Sequence, residues 1–244
     1  MKTAYSAGIS ALLLLMFFLA ASPCFGREDR DLEDLIRRSM AAFDQVKDYR
    51  CTFHKKELVQ GKLRSDRNIT FKFRKPASFY LGYNEGDNKV REAIYVEGKF
   101  DGKLKVHQGG FFGFVNLTLD PRGSLAMRDN RHPITEAGIG HVIQLLEKNY
   151  QMAKNDPDSR IELELDVLVN GEKAILIKSV LPKGRGYYGH KVVIAVDRSS
   201  LLPIKATVFG WNDELLEEYE YDGLQLNVGL TDRDFDTDNP EYHF

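Results

Sequence analysis

Ile161-Glu162-Leu163-Glu164-Leu165-Asp166-Val167-Leu168-Val169-Asn170-Gly171 alternates apolar with acidic side chains through Asp166 and stops at Asn-Gly. Period two marks a strand with one buried face, and Asn-Gly supplies the two left-handed residues of a type I′ hairpin. Ala174 to Val180 then pairs back, and the local sheet is antiparallel. The same pattern recurs on both sides. Val192 to Val196, Ile204 to Phe209 and Leu215 to Tyr221 follow a Gly/Pro-rich stretch at 182–189. Upstream, Tyr49 to Val59 leads to a turn at Gln60-Gly61-Lys62, and Ile69, Phe71 and Phe73 alternate with Thr70, Lys72 and Arg74 until Pro76. Phe79 to Tyr83, Ala93 to Val96, and Leu104 with Val106 complete the set. These runs predict about ten strands joined by turns.

Two helices interrupt the strands. Leu32, Leu35, Ile36, Met40, Phe43 and Val46 recur at spacings of three and four, with Asp29 or Asp31 placed to cap the start and Lys47 at the negative end of the dipole. A second stripe, Ile139, Val142, Ile143, Leu146 and Tyr150, predicts a helix from Thr135 that stops at Asn155-Asp156-Pro157. Gly138 and Gly140 each weaken its first turn by about 1 kcal/mol relative to alanine, which favours motion there. An open sheet of about ten strands tends to curl or close, and the helices then plug or lid it.

Residues 1–26 need a different solvent from the rest. Lys2 precedes an apolar run from Ile9 to Ala21, which gives way at Arg27 to a charged stretch. The run is shorter than the ~20 apolar residues of a membrane span and reads as a secretory signal peptide. Cys24 invites a lipoprotein reading, which Pro23 immediately before it disfavours. The expected organisation is a cleaved signal at 1–26 and a single domain over 27–244, exported to the periplasm. Cys51, alternating onto the face of Tyr49 and Phe53, reads as a small buried apolar residue. The formal net charge of −2 and the scattered basic residues leave no nucleic-acid footprint.

The segment Phe71-Lys72-Phe73-Arg74-Lys75-Pro76, with Phe79 three residues on, resembles the bacterial lipoprotein carrier LolA. The closing stretch adds Ile194-Ala195-Val196-Asp197, Leu202-Pro203-Ile204-Lys205 and Asp234-Phe235, similar to outer-membrane lipoprotein-sorting sequences. The whole mature chain resembles a bacterial domain-of-unknown-function family thought to share that fold. The resemblance implies an α+β fold: a half-open antiparallel barrel of about ten to eleven strands, with two or more helices packed into or over its concave face. It also implies a cavity for acyl chains, with a lipid or acylated lipoprotein as partner, an inner- or outer-membrane partner for delivery, and a monomeric periplasmic protein of a Gram-negative bacterium. LolA-type carriers place Arg immediately before the Pro, where it holds the lid. Here Lys75 occupies that position and Arg74 lies one residue earlier, so a one-residue shift in the strand turns the arginine to the opposite face.

Candidate cavity residues are Phe53, Phe71, Phe73, Phe79, Leu81, Ile94, Val106, Phe111, Phe112, Phe114, Ile143 and Leu146, with Arg74 and Lys75 as lid or latch candidates. Phe111, Phe112 and Phe114, flanked by glycines, read as a flap at the cavity mouth or as a loop packed on the core. Catalytic constellations are thin. The six histidines are dispersed, HExxH and Gly-x-Ser-x-Gly are lacking, and His107 reads as a surface residue beside a turn. Asp232, Asp234, Asp236 and Asp238 lack the glycine and glutamate of a calcium loop. No enzyme activity, metal or cofactor is expected. The sequence thus supports a carrier that encloses a long apolar ligand, with an envelope interaction module of solid core as the alternative.

Overall fold

The computed structural model describes residues 25–86, 89–109 and 115–244, and side chains from residue 31 onward. Residues 1–24 of the expected 1–26 signal, Cys24 among them, and the flap residues Phe111, Phe112 and Phe114 lie outside the described residues. The elements are α1 (Phe25–Asp44), β1 (Asp48–Val59), β2 (Lys62–Arg74), β3 (Ser78–Gly82), β4 (Glu85–Gly86), β5 (Val90–Val96), β6 (Leu104–Gln108), β7 (Asn116–Leu119), α2 (Ser124–Met127), α3 (Ile139–Ala153), β8 (Arg160–Val169), β9 (Glu172–Val180), β10 (Lys191–Asp197), β11 (Pro203–Phe209) and β12 (Leu215–Leu226).

All strand pairings are antiparallel and form one 12-stranded sheet, ordered β7-β6-β5-β3-β2-β1-β12-β11-β10-β9-β8, with β4 paired to β2. The first and last halves of the chain each form a meander, and the pairing of β1 with β12 joins them. The sheet is open, with β7 and β8 at its edges. The two strands that sequence reading passes over are β4, two residues long, and β7, whose short run follows the glycine-rich segment. Neither offers enough alternation to be seen as period two.

The hairpin of β8 and β9 turns at Asn170 and Gly171, both with positive φ (53° and 84°), as the type I′ reading requires. The alternation itself breaks once. Between Glu164 and Val167 the register shifts at a bulge, Asp166 has φ 60°, and Leu165 points outward at 60% exposure. An extra residue in one strand re-aims the side chains around it.

One face of the sheet meets α1 and α3. Ile69, Phe71 and Phe73 of β2 are buried there with Tyr49, Phe53 and Phe79, and Tyr49 stacks on Phe71 at 5.8 Å between ring centroids. Leu32, Leu35 and Ile36 of α1, and Ile139, Val142, Ile143, Leu146 and Tyr150 of α3, pack onto this core. Burying a large apolar side chain contributes about 1.5–3 kcal/mol. The helix stripes and the strand ladders are thus two halves of one core. Met40 departs from its stripe and is 43% exposed.

Both helix termini differ from the sequence expectation. α1 starts at Phe25, so Asp29 and Asp31 lie within it rather than capping it. At its other end the cation on the last carbonyls is Lys75, not Lys47: Lys75 Nζ donates to the carbonyls of Phe43 (2.7 Å) and Asp44 (3.2 Å). α3 is preceded by a 3-10 turn at Ile134–Glu136 and begins at Ile139, with Gly138 (φ 97°) just before it. A Cβ at Gly138 would sit 2.5 Å from the Tyr49 hydroxyl oxygen, which itself accepts the Ile139 N–H at 3.1 Å. Gly140 lies against the Phe43 ring, where a Cβ would come within 2.6 Å. These glycines serve close packing, and Gly138 precedes the helix rather than lying in its first turn.

The opposite face carries a second, smaller core of Tyr80, Ile94, Val96 and Phe235, covered by the C-terminal segment through Tyr242 and Phe244. The alternating acids belong to this attachment. Asp232 pairs with Arg74 (2.5 Å) and Asp234 with Lys72 (2.8 Å), while Asp236 accepts the Asp238 N–H within a turn.

A tight acidic anchor closes the turn between β10 and β11. Asp197 Oδ2 accepts the N–H and hydroxyl of Ser199 (3.1 and 2.7 Å) and of Ser200 (2.6 and 2.7 Å). Burial pushes the Asp197 carboxyl up, but these four donors outweigh it and hold the group below the usual range. A depressed folded-state value stabilises above the unfolded value near ~3.9 and loses that contribution as pH falls through the folded value. Asp197→Ala is expected to cost about 1–3 kcal/mol in urea denaturation at pH 7. The gap from the parent should narrow as pH drops below about 4.

Candidate binding cavity

A cavity of about 300 Å³ lies between the sheet face, α2 and α3. Its walls come from distant strands: Phe53 of β1, Leu81 of β3, Val106 of β6 and Leu117 of β7 on one side, Ile194 of β10 and Val208 of β11 on the other. In a flat sheet β7 and β10 would stand about 38 Å apart at ~4.8 Å per strand. Sharing one cavity requires the sheet to curl around it. Val142 and Leu146 of α3, with Ile134 from the preceding turn, cover the open side.

One cluster of polar groups in the wall is tightly paired. Lys55 of β1 is buried, with Nζ 3.2 Å from Glu57 Oε2, 3.6 Å from Asp66 Oδ2 and 2.6 Å from Asn130 Oδ1. The Tyr219 hydroxyl donates to Glu57 Oε1 at 2.5 Å. Glu217, next but one along β12, accepts from the Tyr188 hydroxyl (2.8 Å) and lies 2.8 Å from His132 Nε2. Arg131 Nε donates to the Tyr188 hydroxyl oxygen at 2.7 Å, and its guanidinium also reaches the Leu58 carbonyl. Strand alternation places Lys55 and Glu57, and Glu217 and Tyr219, on the cavity face. The segment from Asn130 to Ala137 brings in Asn130, Arg131 and His132, β2 brings Asp66, and the loop before β10 brings Tyr188.

Their protonation follows from the contacts. Burial raises the Glu57 carboxyl, but Lys55 and the Tyr219 hydroxyl more than offset it, so Glu57 titrates below its ordinary value. Burial disfavours the charged Lys55, yet the carboxylates of Glu57 and Asp66 keep its ammonium more firmly protonated than usual. Burial lowers His132, and the Glu217 bond reverses this, so His132 titrates above the ordinary imidazole value. His141 is moved the other way, by burial first and by the charge of His132 as well. The result is an internally paired polar patch in the chamber wall, buried at Lys55, Glu57 and Glu217 and exposed at Tyr188.

Of the sequence candidates, Phe53, Leu81, Val106 and Leu146 line the cavity. Phe71, Phe73, Phe79 and Ile143 lie in the solid core beside it, filled in by one another and by Tyr49 and Phe43. Ile94 is a correction: its side chain packs on the other face, against Tyr80 and Phe235, because it is one residue out of phase with the inward-facing Ala93. Arg74 also turns to that face, where its guanidinium lies 5.2 Å from the Phe235 ring centroid, whereas Lys75 ties β2 to α1. Of the two candidates, Lys75 is the one that contacts a helix. His107 is corrected too, being buried beside Asn116 (2.7 Å) beneath His243 and Phe244.

Sequence reading missed the polar end. His132, Glu136 and His141 fall within ten residues, but a search for HExxH passes over that spacing. The small residues Ala93 and Ala206, whose missing bulk helps leave the chamber open, carry no motif.

The curled open sheet thus carries helices across its inner face, with an apolar chamber between them. The chain itself belongs to the DUF1571 family, described as a protein of unknown function, whose model matches residues 46–244. Among solved structures, MucB is similar in fold at 16% identity and TM-score 0.50, with 85% of this chain and 62% of MucB covered. This chain thus spans about three-fifths of the length of MucB. The lipoprotein LppX of Mycobacterium tuberculosis aligns at 13% identity and TM-score 0.46, covering 83% of this chain and 98% of LppX. A domain from Vibrio parahaemolyticus described for outer-membrane lipoprotein sorting aligns at 11% identity and TM-score 0.29, covering 85% and 97%. Among curated proteins, none matches this chain in sequence.

Proposed function

We propose that this chain is a non-catalytic envelope binding protein or carrier that takes up an amphipathic molecule, with the apolar part in the chamber and the polar part at the Lys55–Glu217 end. The observation that carries this reading is the chamber itself: its walls are predominantly aliphatic and aromatic, a cluster of paired polar groups from Lys55 to Glu217 sits in one part of them, and its volume suits one chain rather than several. Each methylene moved from water into such a chamber contributes about 0.8 kcal/mol. Affinity comes readily from a chain of ordinary length. The polar end then sets direction and headgroup preference. Export follows from Lys2 and the apolar run ahead of Arg27, a leader of the length a signal peptidase removes.

The interior chamber distinguishes this reading from that of a solid interaction module. Titration with a fluorescent fatty acid tests it. A saturable 1:1 isotherm, competed by unlabelled dodecanoate, is the expected result. Absence of saturable binding, or binding that dodecanoate does not compete, contradicts it.

A further inference from the structure

We infer that His132, Glu136 and His141 form a binding site for a divalent transition-metal ion of the zinc class, set in the wall of the chamber. Each residue offers one ligand atom, and these atoms lie within 4.8 Å of one another. Glu136 Oε2 stands 3.3 Å from His132 Nδ1 and 3.9 Å from His141 Nε2. With bonds of ~2.0–2.1 Å, the ligand atoms of a tetrahedral zinc site are roughly 3.4 Å apart. Closing on an ion takes a movement of about 0.5 Å between Glu136 and His141 and at most about 1.4 Å between the two imidazoles. Two imidazoles and one carboxylate suit zinc and its neighbours, whereas calcium and magnesium seek about six or more oxygens.

Two further features stand apart from the proximity of the three ligands. His132 turns its other nitrogen, Nε2, to the buried carboxylate of Glu217 at 2.8 Å, and the Tyr188 hydroxyl holds that same carboxylate oxygen. An N–H···carboxylate bond on the distal nitrogen fixes the tautomer that presents the Nδ1 lone pair and orients the ring, as it does for most metal-bound histidines. Arg122 meanwhile binds Glu136 Oε1 at 2.5 Å and leaves Oε2 facing both imidazoles. The local sequence makes this possible: the 3-10 turn at Ile134–Glu136 folds Glu136 back toward His132, and His141 enters from the first turn of α3.

Three protein ligands leave a tetrahedral ion one open position. Because all three residues line the chamber, that position faces its contents. On the binding-protein reading, the carboxylate or phosphate of a bound amphiphile completes the coordination, and the ion selects for an anionic headgroup where the protein's own carboxylates would repel it.

The test uses the full chain after chelator treatment, titrated with Zn²⁺ and Co²⁺ in the absence of lipid. One zinc per chain and the intense visible absorption of tetrahedral cobalt are expected. His132→Ala and His141→Ala should each weaken binding by roughly 100-fold or more, and Glu217→Gln by about 10-fold. His190→Ala, whose ring is engaged by the Leu181 carbonyl, should leave it unchanged. Circular dichroism checks that each variant folds, and the parent's cobalt spectrum stands independently of them. The inference is overturned if the parent takes up no stoichiometric zinc, or if both histidine variants retain full affinity. Since no lipid is present, this outcome is separate from that of the fatty-acid titration. Adding dodecanoate to the cobalt form then tests the headgroup contact: a changed spectrum supports it, and an unchanged one at saturation removes it.

Discussion

Ala206→Trp is expected to abolish measurable fatty-acid binding while leaving the protein folded. Ala206 sits on β11 opposite Ile194 of β10 and Tyr219 of β12, with its methyl at the chamber wall. An indole there occupies much of the 300 Å³ that a chain would fill. Displacing about five methylenes forfeits roughly 4 kcal/mol, close to a 1,000-fold loss of affinity. Overpacking a filled core costs about 1–3 kcal/mol, so a thermal midpoint near the parent's indicates that the indole entered open space. A folded variant that binds the probe as tightly as the parent places the ligand somewhere else.

The second large effect is on stability. Lys55→Met should destabilise the fold by about 3–5 kcal/mol, because it strips Glu57 and Asp66 of a cation that is buried with them. Methionine preserves much of the aliphatic stem, so the loss reports charge rather than volume. Adding Glu57→Gln to this variant should recover part of the loss, since the amide leaves no uncompensated charge beside Asp66. Denaturant midpoints of the two variants and the parent measure this directly. A Lys55→Met midpoint equal to the parent's would mean that the trio contributes nothing net.

The sheet was legible because its strands announce themselves locally. Ile69, Phe71 and Phe73 alternate without interruption, Asn170-Gly171 has one preferred turn, and the stripes of α1 and α3 have the spacing of a helix face. Departures arise where tertiary context overrides period. The bulge at Asp166 turns Leu165 outward, and the tail through Phe235 takes Ile94 from an expected cavity position into the middle of a second core. An alternating strand states that there are two faces but not what covers each. For that reason Phe71, Phe73 and Phe79 could be assigned to the inner face, but not to solid core rather than chamber wall. That distinction depends on small residues such as Ala93 and Ala206 in the chamber wall, and on α2 and the 130–137 segment arriving from elsewhere. Likewise, Glu217 reaches His132 across 85 residues of sequence, a contact that strand order creates and local spacing cannot express.

Arg74 and Lys75, adjacent in sequence, make contacts on opposite sides of the sheet. The position before Pro76 carries the contact to a helix, through ammonium donation to the last carbonyls of α1, while the neighbouring arginine serves the tail on the other face. A shift of one residue along a strand exchanges those two tasks.

The most direct measurement is native mass spectrometry of the protein purified from its own envelope, followed by solvent extraction of whatever it holds. A stoichiometric adduct whose mass and fragments identify an acyl-bearing molecule, lost in the Ala206→Trp variant, is the predicted result. A bare polypeptide mass under conditions gentle enough to preserve lipid adducts of a known carrier would contradict the account.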